Sequence, residues 1–157
     1  MRSIERASAK PVIANLLFVL TAVFFGVNCA SQYRNVKIHL VPTENSNKGN
    51  PVIIRIHQLQ SDATFQTLTI ETYLKDPANA LGADQLEKPL EKTVYPGAIL
   101  NLDDLKISKK ATFIAILADF YESEGDQWRL IASAKTFGGK PVVIECQEKK
   151  LVFRKQQ

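Results

Sequence analysis

The sequence predicts an all-β protein, a β-sandwich of two sheets with a short helical insertion, and three observations lead to this fold class. Several short segments alternate between apolar and polar residues, turn-forming residues separate these segments, and one segment is apolar on both of its faces. Seven or eight short strands joined by short turns are typical of two packed sheets. An N-terminal signal or anchor segment precedes the strands.

The first strands follow from apolar residues at every second position. NVKIHLV (35–41) and VIIRIHQL (52–59) both show this period, which is typical of a strand with one buried face. TFQTLTIETYL (64–74) is rich in threonine and alternates in part, so it predicts another strand.

A short helical insertion is predicted after these strands. Asp76 can cap a helix, and Pro77 suits the first helical turn, where its missing N–H has no partner to lose. ANALGADQLEK (78–88) carries two leucines at roughly helical spacing. Tyr95–Gly97 then predicts a tight turn, because proline fixes φ and glycine supplies a positive φ.

The segment ATFIAILADFY (111–121) is apolar on both faces, so we expect a central strand that is covered on both sides. WRLIASAKTF (128–137) predicts the next strand, and Gly138-Gly139 a hairpin turn. VVIEC and LVFRK (142–146 and 151–155) predict a closing hairpin, with Cys146 packed inside its strand.

The N-terminal stretch LLFVLTAVFFGVNCAS (16–31) is a predicted export signal. Three basic residues and one acid precede it, and its apolar run falls short of the ~20 residues needed to span a bilayer. No polar face recurs at helical spacing, which argues against a soluble core helix.

Cys29 closes this apolar run, as the lipidated cysteine of a bacterial lipoprotein does. We therefore predict a signal peptide at residues 1–28, a tether at 29–35 and a β-sandwich domain at 36–157. The preceding residues Gly26 and Asn28 depart from the usual lipobox, which leaves open a retained anchor or cleavage by the other signal peptidase. The residue after Cys29 is not aspartate, so sorting to the outer membrane, facing the periplasm, is expected.

The charge balance gives no indication of nucleic-acid binding. The signal segment holds three of the 20 basic residues and one of the 16 acids, which leaves 17 against 15, or +2. These charges are interspersed along the chain, as on a solvated surface.

Catalytic and metal-binding motifs are not found in the sequence. His39 and His57 fall on the predicted polar faces of their strands, at no metal-ligand spacing, and no nucleophile elbow or phosphate loop occurs. Trp128 and Arg129 have two interpretations: core residues, or contacts in a protein interface.

The order of several segments resembles the type VI secretion lipoprotein family, TssJ. The similar segments cover roughly Val36 to Phe153, and they are PVIIRIHQLQ (51–60), ALGADQL (80–86), YPG (95–97), TFIAILADFY (112–121) and QWR (127–129). His57 and Asp119 depart from the family pattern, which has tyrosine and a small residue there.

The resemblance implies a transthyretin-like sandwich that is not an enzyme. It implies a lipid at Cys29 and no other cofactor, metal, nucleic acid or small-molecule substrate. It further implies an outer-membrane adaptor of the secretion membrane complex that binds the periplasmic domain of the inner-membrane protein TssM. The contact expected from the family is the loop joining the first two strands, which here comprises Pro42, Thr43, Glu44, Asn45, Ser46, Asn47, Lys48, Gly49 and Asn50.

Two other classes remain open at this point. A periplasmic carrier or inhibitor module could have the same fold, and a transthyretin-like hydrolase would need clustered catalytic histidine and arginine residues. An adaptor needs both the lipid anchor and the loop, whereas a soluble carrier needs neither.

Overall fold

A computed structural model describes residues 31–123 and 125–154. Cys29, the predicted signal segment 1–28 and the first tether residues lie outside these ranges. The strands are β1 (Tyr33–Pro42), β2 (Val52–Leu59), β3 (Leu90–Val94), β4 (Leu100–Ser108), β5 (Phe113–Asp119), β6 (Arg129–Ser133), β7 (Val142–Cys146) and β8 (Leu151–Phe153). The helices are α1 (Ala63–Thr67) and α2 (Ile70–Lys75), with 3-10 turns at Ser46–Gly49, Gly82–Asp84 and Ala134–Phe137. No helix within the described ranges is long and apolar enough to cross a membrane.

The strands form two four-stranded sheets, in the orders β4-β1-β7-β8 and β3-β2-β5-β6. β1 pairs with β7 in parallel, and the remaining pairings within the two sheets are antiparallel. The inward residues of both sheets share one core, which confirms the predicted two-sheet sandwich.

The predicted central strand is confirmed. β5 lies between β2 and β6, and its five residues Ile114–Ala118 are fully buried. One face packs in the sandwich core, and the insertion between β2 and β3 covers the other. The closing hairpin of β7 and β8 is confirmed as well, with Cys146 buried.

The insertion corrects the prediction for residues 64–74, which form helices and not a strand. The Thr69 hydroxyl accepts a hydrogen bond from the Thr72 amide at 3.2 Å and so caps the start of α2. Phe65, Leu68 and Tyr73 turn inward and are buried. The helix predicted after Pro77 is reduced to the 3-10 turn Gly82–Asp84.

Two edge strands, β3 and β4, were not predicted. In β4 the inward residues are Leu100 and Leu102, then Leu105 and Ile107, because the register with β1 shifts between Val36 and Ile38. This bulge adds one residue to β4 and breaks the two-residue period that marks a strand in sequence.

The prediction of a hairpin turn at Gly138-Gly139 is wrong. β6 ends at Ser133 in one sheet, β7 begins at Val142 in the other, and the 3-10 turn Ala134–Phe137 lies between them. The connection therefore crosses from sheet to sheet, with Phe137 buried beneath it.

The strand directions divide the loops between two ends of the sandwich. The loop end carries the connections β1–β2, β3–β4, β5–β6 and β7–β8. The tether end carries the start of β1, the end of β8 and the connections β2–β3, β4–β5 and β6–β7.

Candidate functional site

The predicted partner-binding loop lies at the loop end, but only part of it faces solvent. Pro42 is the buried last residue of β1, and Ser46 and Asn47 are also buried. Thr43 is half-buried. The exposed residues of the loop are Glu44, Asn45, Lys48, Gly49 and Asn50.

Asn47 fixes the conformation of this loop. Its Nδ2 donates to the Pro51 carbonyl at 2.7 Å, and its Oδ1 accepts from the Tyr121 amide at 2.7 Å. Asn47 and Lys48 have φ values of 49° and 56°, in the left-handed region that residues with a Cβ rarely adopt. Two such residues in succession require the surrounding contacts to hold them, and this kind of strain concentrates at functional sites.

The β3–β4 turn packs against the first part of the loop. The Thr43 carbonyl accepts a hydrogen bond from the Gly97 amide at 3.3 Å. Gly97 has a φ of 71°, which confirms the predicted turn, and a Cβ at this position would lie 2.6 Å from Glu44 Oε1. The backbone conformation therefore favours glycine, and a Cβ at this position would displace the carboxylate of Glu44.

An ion-pair network joins the loop to two of the other connections at this end, β5–β6 and β7–β8. Glu122 lies 2.6 Å from Lys48 Nζ and 2.9 Å from Lys149 Nζ. Hydrogen bonds from these two ammonium groups lower the pKa of Glu122 to about 2. The Lys48 ammonium also lies 5.6 Å from the centre of the Tyr121 ring.

Large apolar side chains are exposed around this network. Tyr121, Ile99 and Tyr95 are 78%, 62% and 59% exposed, and they are three of the five exposed large hydrophobic residues in the described ranges. Exposed aromatic residues beside charged ones are typical of protein interfaces. We call Glu44, Lys48, Tyr95, Ile99 and Tyr121 the loop-end surface.

A polar groove of about 360 Å³ adjoins the loop-end surface. Its lining comes from the β1–β2 loop and the β7–β8 turn, namely Thr43, Asn45, Gln147, Glu148, Lys149 and Lys150. The groove offers hydrogen-bonding groups at the loop end of the sandwich.

The interface interpretation of Trp128 is not supported, because the structure places Trp128 in the core. It is 1% exposed and packs on Tyr73, with ring centroids 5.0 Å apart. Sequence reasoning missed Tyr95, Ile99 and Tyr121 instead. Each of these residues stands in or beside a turn, where an apolar side chain is poorly placed to reach the core. An apolar residue in a predicted turn was therefore the sequence feature that could have indicated an exposed binding residue.

The two histidines differ in their surroundings. His39 Nε2 lies 2.9 Å from Asp103 Oδ1 on the outer face of β1. The prediction that His57 faces solvent is wrong, because the insertion covers that face of β2 and buries the ring completely. His57 Nδ1 lies 2.6 Å from Gln85 Oε1, and burial lowers the pKa of His57 to about 4.

The described part of the chain contains neither a reactive cysteine nor a cluster of metal-ligating side chains. Burial raises the pKa of Cys146 to about 12, so its thiol is not a nucleophile near neutral pH. The described residues contain no group of three or more potential metal-ligating side chains. Cys29, the predicted lipidation site, lies outside the described ranges.

Structures of the type VI secretion system have the same fold. A chain in the structure described as a type VI membrane complex is 19% identical and aligns with a TM-score of 0.67, covering 78% of this chain and 100% of that one. A chain in the structure of the TssM C-terminal domain (869–1107) from EAEC is 18% identical, with a TM-score of 0.65 and coverage of 78% and 98%. Serratia marcescens Lip, a membrane-bound component of the system, is 20% identical, with a TM-score of 0.62 and coverage of 79% and 99%.

A family match extends over most of the sequence. Residues 34–149 match the family described as type VI secretion lipoprotein, VasD, EvfM, TssJ. No relative is found among curated proteins. The match reaches from β1 through β7 and contains every residue of the loop-end surface, and by it the chain belongs to the type VI secretion lipoprotein family.

Proposed function

We propose that this protein is a structural adaptor of the type VI secretion membrane complex, anchored by a lipid on Cys29 and bound through its loop end to the periplasmic domain of a TssM-like inner-membrane protein. The observation that carries the proposal is the family match over residues 34–149. The family consists of outer-membrane lipoproteins of this secretion system. In the proposed mature protein, residues 1–28 are removed and Cys29 is the first residue.

The two ends of β1 support this assignment. Tyr33 begins the strand at the tether end, four residues after Cys29, and Pro42 ends it at the loop end. The first strand residue after the proposed anchor and the loop-end surface therefore lie at opposite ends of one strand. A partner can approach the loop end without displacing the lipid from the membrane.

The composition of the loop-end surface suits a protein partner. Tyr95, Ile99 and Tyr121 offer apolar area, and Lys48 and Glu122 offer charge around it. Tyrosine is enriched among the residues that dominate binding energy. The structural likeness to chains associated with TssM and with a type VI membrane complex supports TssM as this partner.

The proposed role requires no catalysis and no cofactor apart from the covalent lipid. The buried Cys146 and His57 are held by packing and by Gln85, away from any surface where a substrate could meet them. A carrier or inhibitor module would use the same sandwich, but it would need neither the anchor nor the loop end.

The test is the affinity of the protein for a purified TssM-like periplasmic domain. Tyr121→Ala and Tyr95→Ala should each weaken binding by roughly ten- to thirtyfold, as for residues that dominate an interface. Tyr33→Ala is the matched control, because Tyr33 is an exposed tyrosine at the opposite end and should leave the affinity unchanged. Equal losses for all three variants, or none, would contradict the assignment of the loop end as the binding site.

A second experiment tests the anchor. Cys29→Ser should release the protein from outer-membrane fractions and abolish secretion-dependent killing, while the folded domain keeps its affinity for TssM. Full killing activity by an unanchored protein would exclude an adaptor and favour the carrier or inhibitor class.

A further inference from the structure

The tether end carries a group of exposed lysines with no acid among them. The segments 105–112 and 133–141 contain five lysines and no aspartate or glutamate. These residues, which we call the tether-end lysines, are Lys106, Lys109, Lys110, Lys135 and Lys140, and all five are exposed. None of them makes an ion pair within the described ranges.

Backbone hydrogen bonds bring these two segments together. The Ala134 amide donates to the Thr112 carbonyl at 2.8 Å, which joins the β6–β7 connection to the β4–β5 turn. The Lys109 amide donates to the Gln32 carbonyl at 2.8 Å. These bonds place both lysine-bearing segments at the end of the domain where β1 begins.

Acids of the helical insertion lie at the same end and have partners of their own, and Asp104 stands two positions before Lys106 in β4. The Tyr33 hydroxyl donates to Glu87 at 3.0 Å, and the Thr64 amide donates to Asp84 at 2.8 Å. Asp62 accepts from Gln66 at 3.0 Å. Among the described residues, these acids form no ion pair with the tether-end lysines.

Charge is thus unevenly distributed between the two ends of the sandwich. The loop end holds Glu44, Glu122, Asp126 and Glu148 beside its own lysines. The domain has a balance of only +2 after the signal segment, so the two acid-free segments 105–112 and 133–141 are a local excess of positive charge beside the acids of the insertion.

The length of the tether places this positive surface near a membrane. Tyr33 follows Cys29 by four positions, and an extended chain spans at most about 3.3–3.6 Å per residue, or roughly 14 Å over this distance. Electrostatic attraction to a charged bilayer decays over a Debye length of about 8–10 Å. The tether thus spans less than two Debye lengths at full extension, and a lipid at Cys29 allows the tether-end lysines to come within range of the headgroups.

We propose that the tether-end lysines bind the anionic phospholipid headgroups of the leaflet that holds the Cys29 lipid, and so orient the sandwich with its loop end away from the bilayer. This inference rests on the proposed lipid anchor. Each lysine near an anionic surface raises the affinity of the protein for that surface by about fivefold. Several lysines on one end suffice to favour one orientation over others.

The experiment compares lysine acetylation in the full lipoprotein reconstituted into two kinds of vesicle. One kind is phosphatidylcholine alone, and the other contains about one quarter phosphatidylglycerol. A water-soluble acetylating reagent modifies the lysines, and mass spectrometry gives the rate at each site. Lys109, Lys110 and Lys135 should react about fivefold more slowly, or slower still, on the anionic vesicles, and salt at about 0.5 M should restore their rates.

Lys48 at the loop end is the internal control, and its rate should be the same on both vesicles. Equal rates for the tether-end lysines on the two vesicles would overturn the proposal, as would equal slowing of Lys48. Replacement of all five tether-end lysines by glutamine should abolish the fixed orientation. The readout is the acetylation rate of Lys37, near the start of β1, compared with that of Lys48. Lys37 should react more slowly than Lys48 in the parent protein, and this difference should be absent in the variant.

Flotation of the vesicles separates this proposal from the proposed function. A protein that floats with phosphatidylcholine vesicles is anchored by its lipid, whatever the lysines do. A protein that fails to float lacks the anchor, and that result overturns both proposals together. Flotation without lysine protection overturns only the orientation by headgroups.

Discussion

The side-chain oxygen of Asn47 accepts a hydrogen bond from the backbone amide of Tyr121, and the two atoms lie 2.7 Å apart. This bond joins the β1–β2 loop to the β5–β6 connection while the Tyr121 ring stays 78% exposed. One buried side-chain amide thus fixes the backbone beneath an exposed aromatic side chain. The loop-end surface is therefore preorganised, which reduces the entropy lost on binding.

Asn47→Ala should destabilise the domain by about 1–3 kcal/mol, because it leaves the Tyr121 amide and the Pro51 carbonyl without this partner. Urea unfolding measures the change in the free energy of unfolding. Asn45→Ala is the matched control, since Asn45 is exposed and its side chain bonds to the nearby Thr43. The role given to Asn47 is wrong when both variants unfold at the same urea concentration.

Gly97→Ala and Gly82→Ala should each destabilise the fold by about 1–2 kcal/mol, since both positions have positive φ. Only the methyl group introduced at position 97 would meet Glu44, because no heavy atom lies within 4 Å of a Cβ at Gly82. We therefore expect Gly97→Ala, but not Gly82→Ala, to weaken TssM binding. Titration calorimetry of the two variants checks this, and equal affinities would show that the position of Glu44 does not matter.

Stability should fall as pH falls from about 6.5 toward 4, because burial lowers the pKa of His57 to about 4 in the folded state. The unfolded chain, with an ordinary histidine pKa near 6.5, binds the proton more readily in this window. The contribution of His57 to the free energy of unfolding is therefore fully present above a pH of about 6.5. The loss should be on the order of 2 kcal/mol between about pH 7.5 and pH 5.

Chemical unfolding at these two pH values measures the effect of His57. His57→Gln should remove most of the difference, and His39→Gln, at the half-buried histidine on the outer face of β1, should retain it. An undiminished pH dependence in His57→Gln would place the titrating group elsewhere.

Cys146 should resist alkylation in the folded protein, because its thiol is buried and burial raises its pKa to about 12. The Cys29→Ser chain contains Cys146 as its single thiol, since the sequence has two cysteines. Iodoacetamide should label it only after denaturant is added. Rapid labelling without denaturant would mean that the β7–β8 hairpin opens readily.

The sequence predicts those strands in which burial is one-sided or complete. β1 and β2 show the two-residue period of strands with one buried face, and β5 is apolar throughout, as expected of a central strand. β4 was missed because its bulge at Asp103 and Asp104 interrupts the period. Residues 64–74 were misread because threonine favours strands but also caps helices, and here Thr69 does the latter.

The site was only partly predictable from the sequence. The β1–β2 loop came from family resemblance, since a polar loop has no local pattern that distinguishes binding from solvation. Tyr95, Ile99 and Tyr121 stand far apart in the chain, and only the pairing of the strands brings their turns together. His57 was predicted to face solvent because the sequence of β2 does not indicate that the insertion packs over its outer face.

The position of β1 between β4 and β7 has a mechanical consequence for an adaptor. A pull between lipid and partner would enter β1 at Tyr33 and leave it near Pro42, over a length of about 30 Å. Because the pull would enter and leave at the two ends of one strand, it would run along the covalent backbone of β1, and the ladders to β4 and β7 would keep the strand in place without bearing the load. The strand that connects anchor and loop is thereby the part of the domain best placed to carry tension between two membranes.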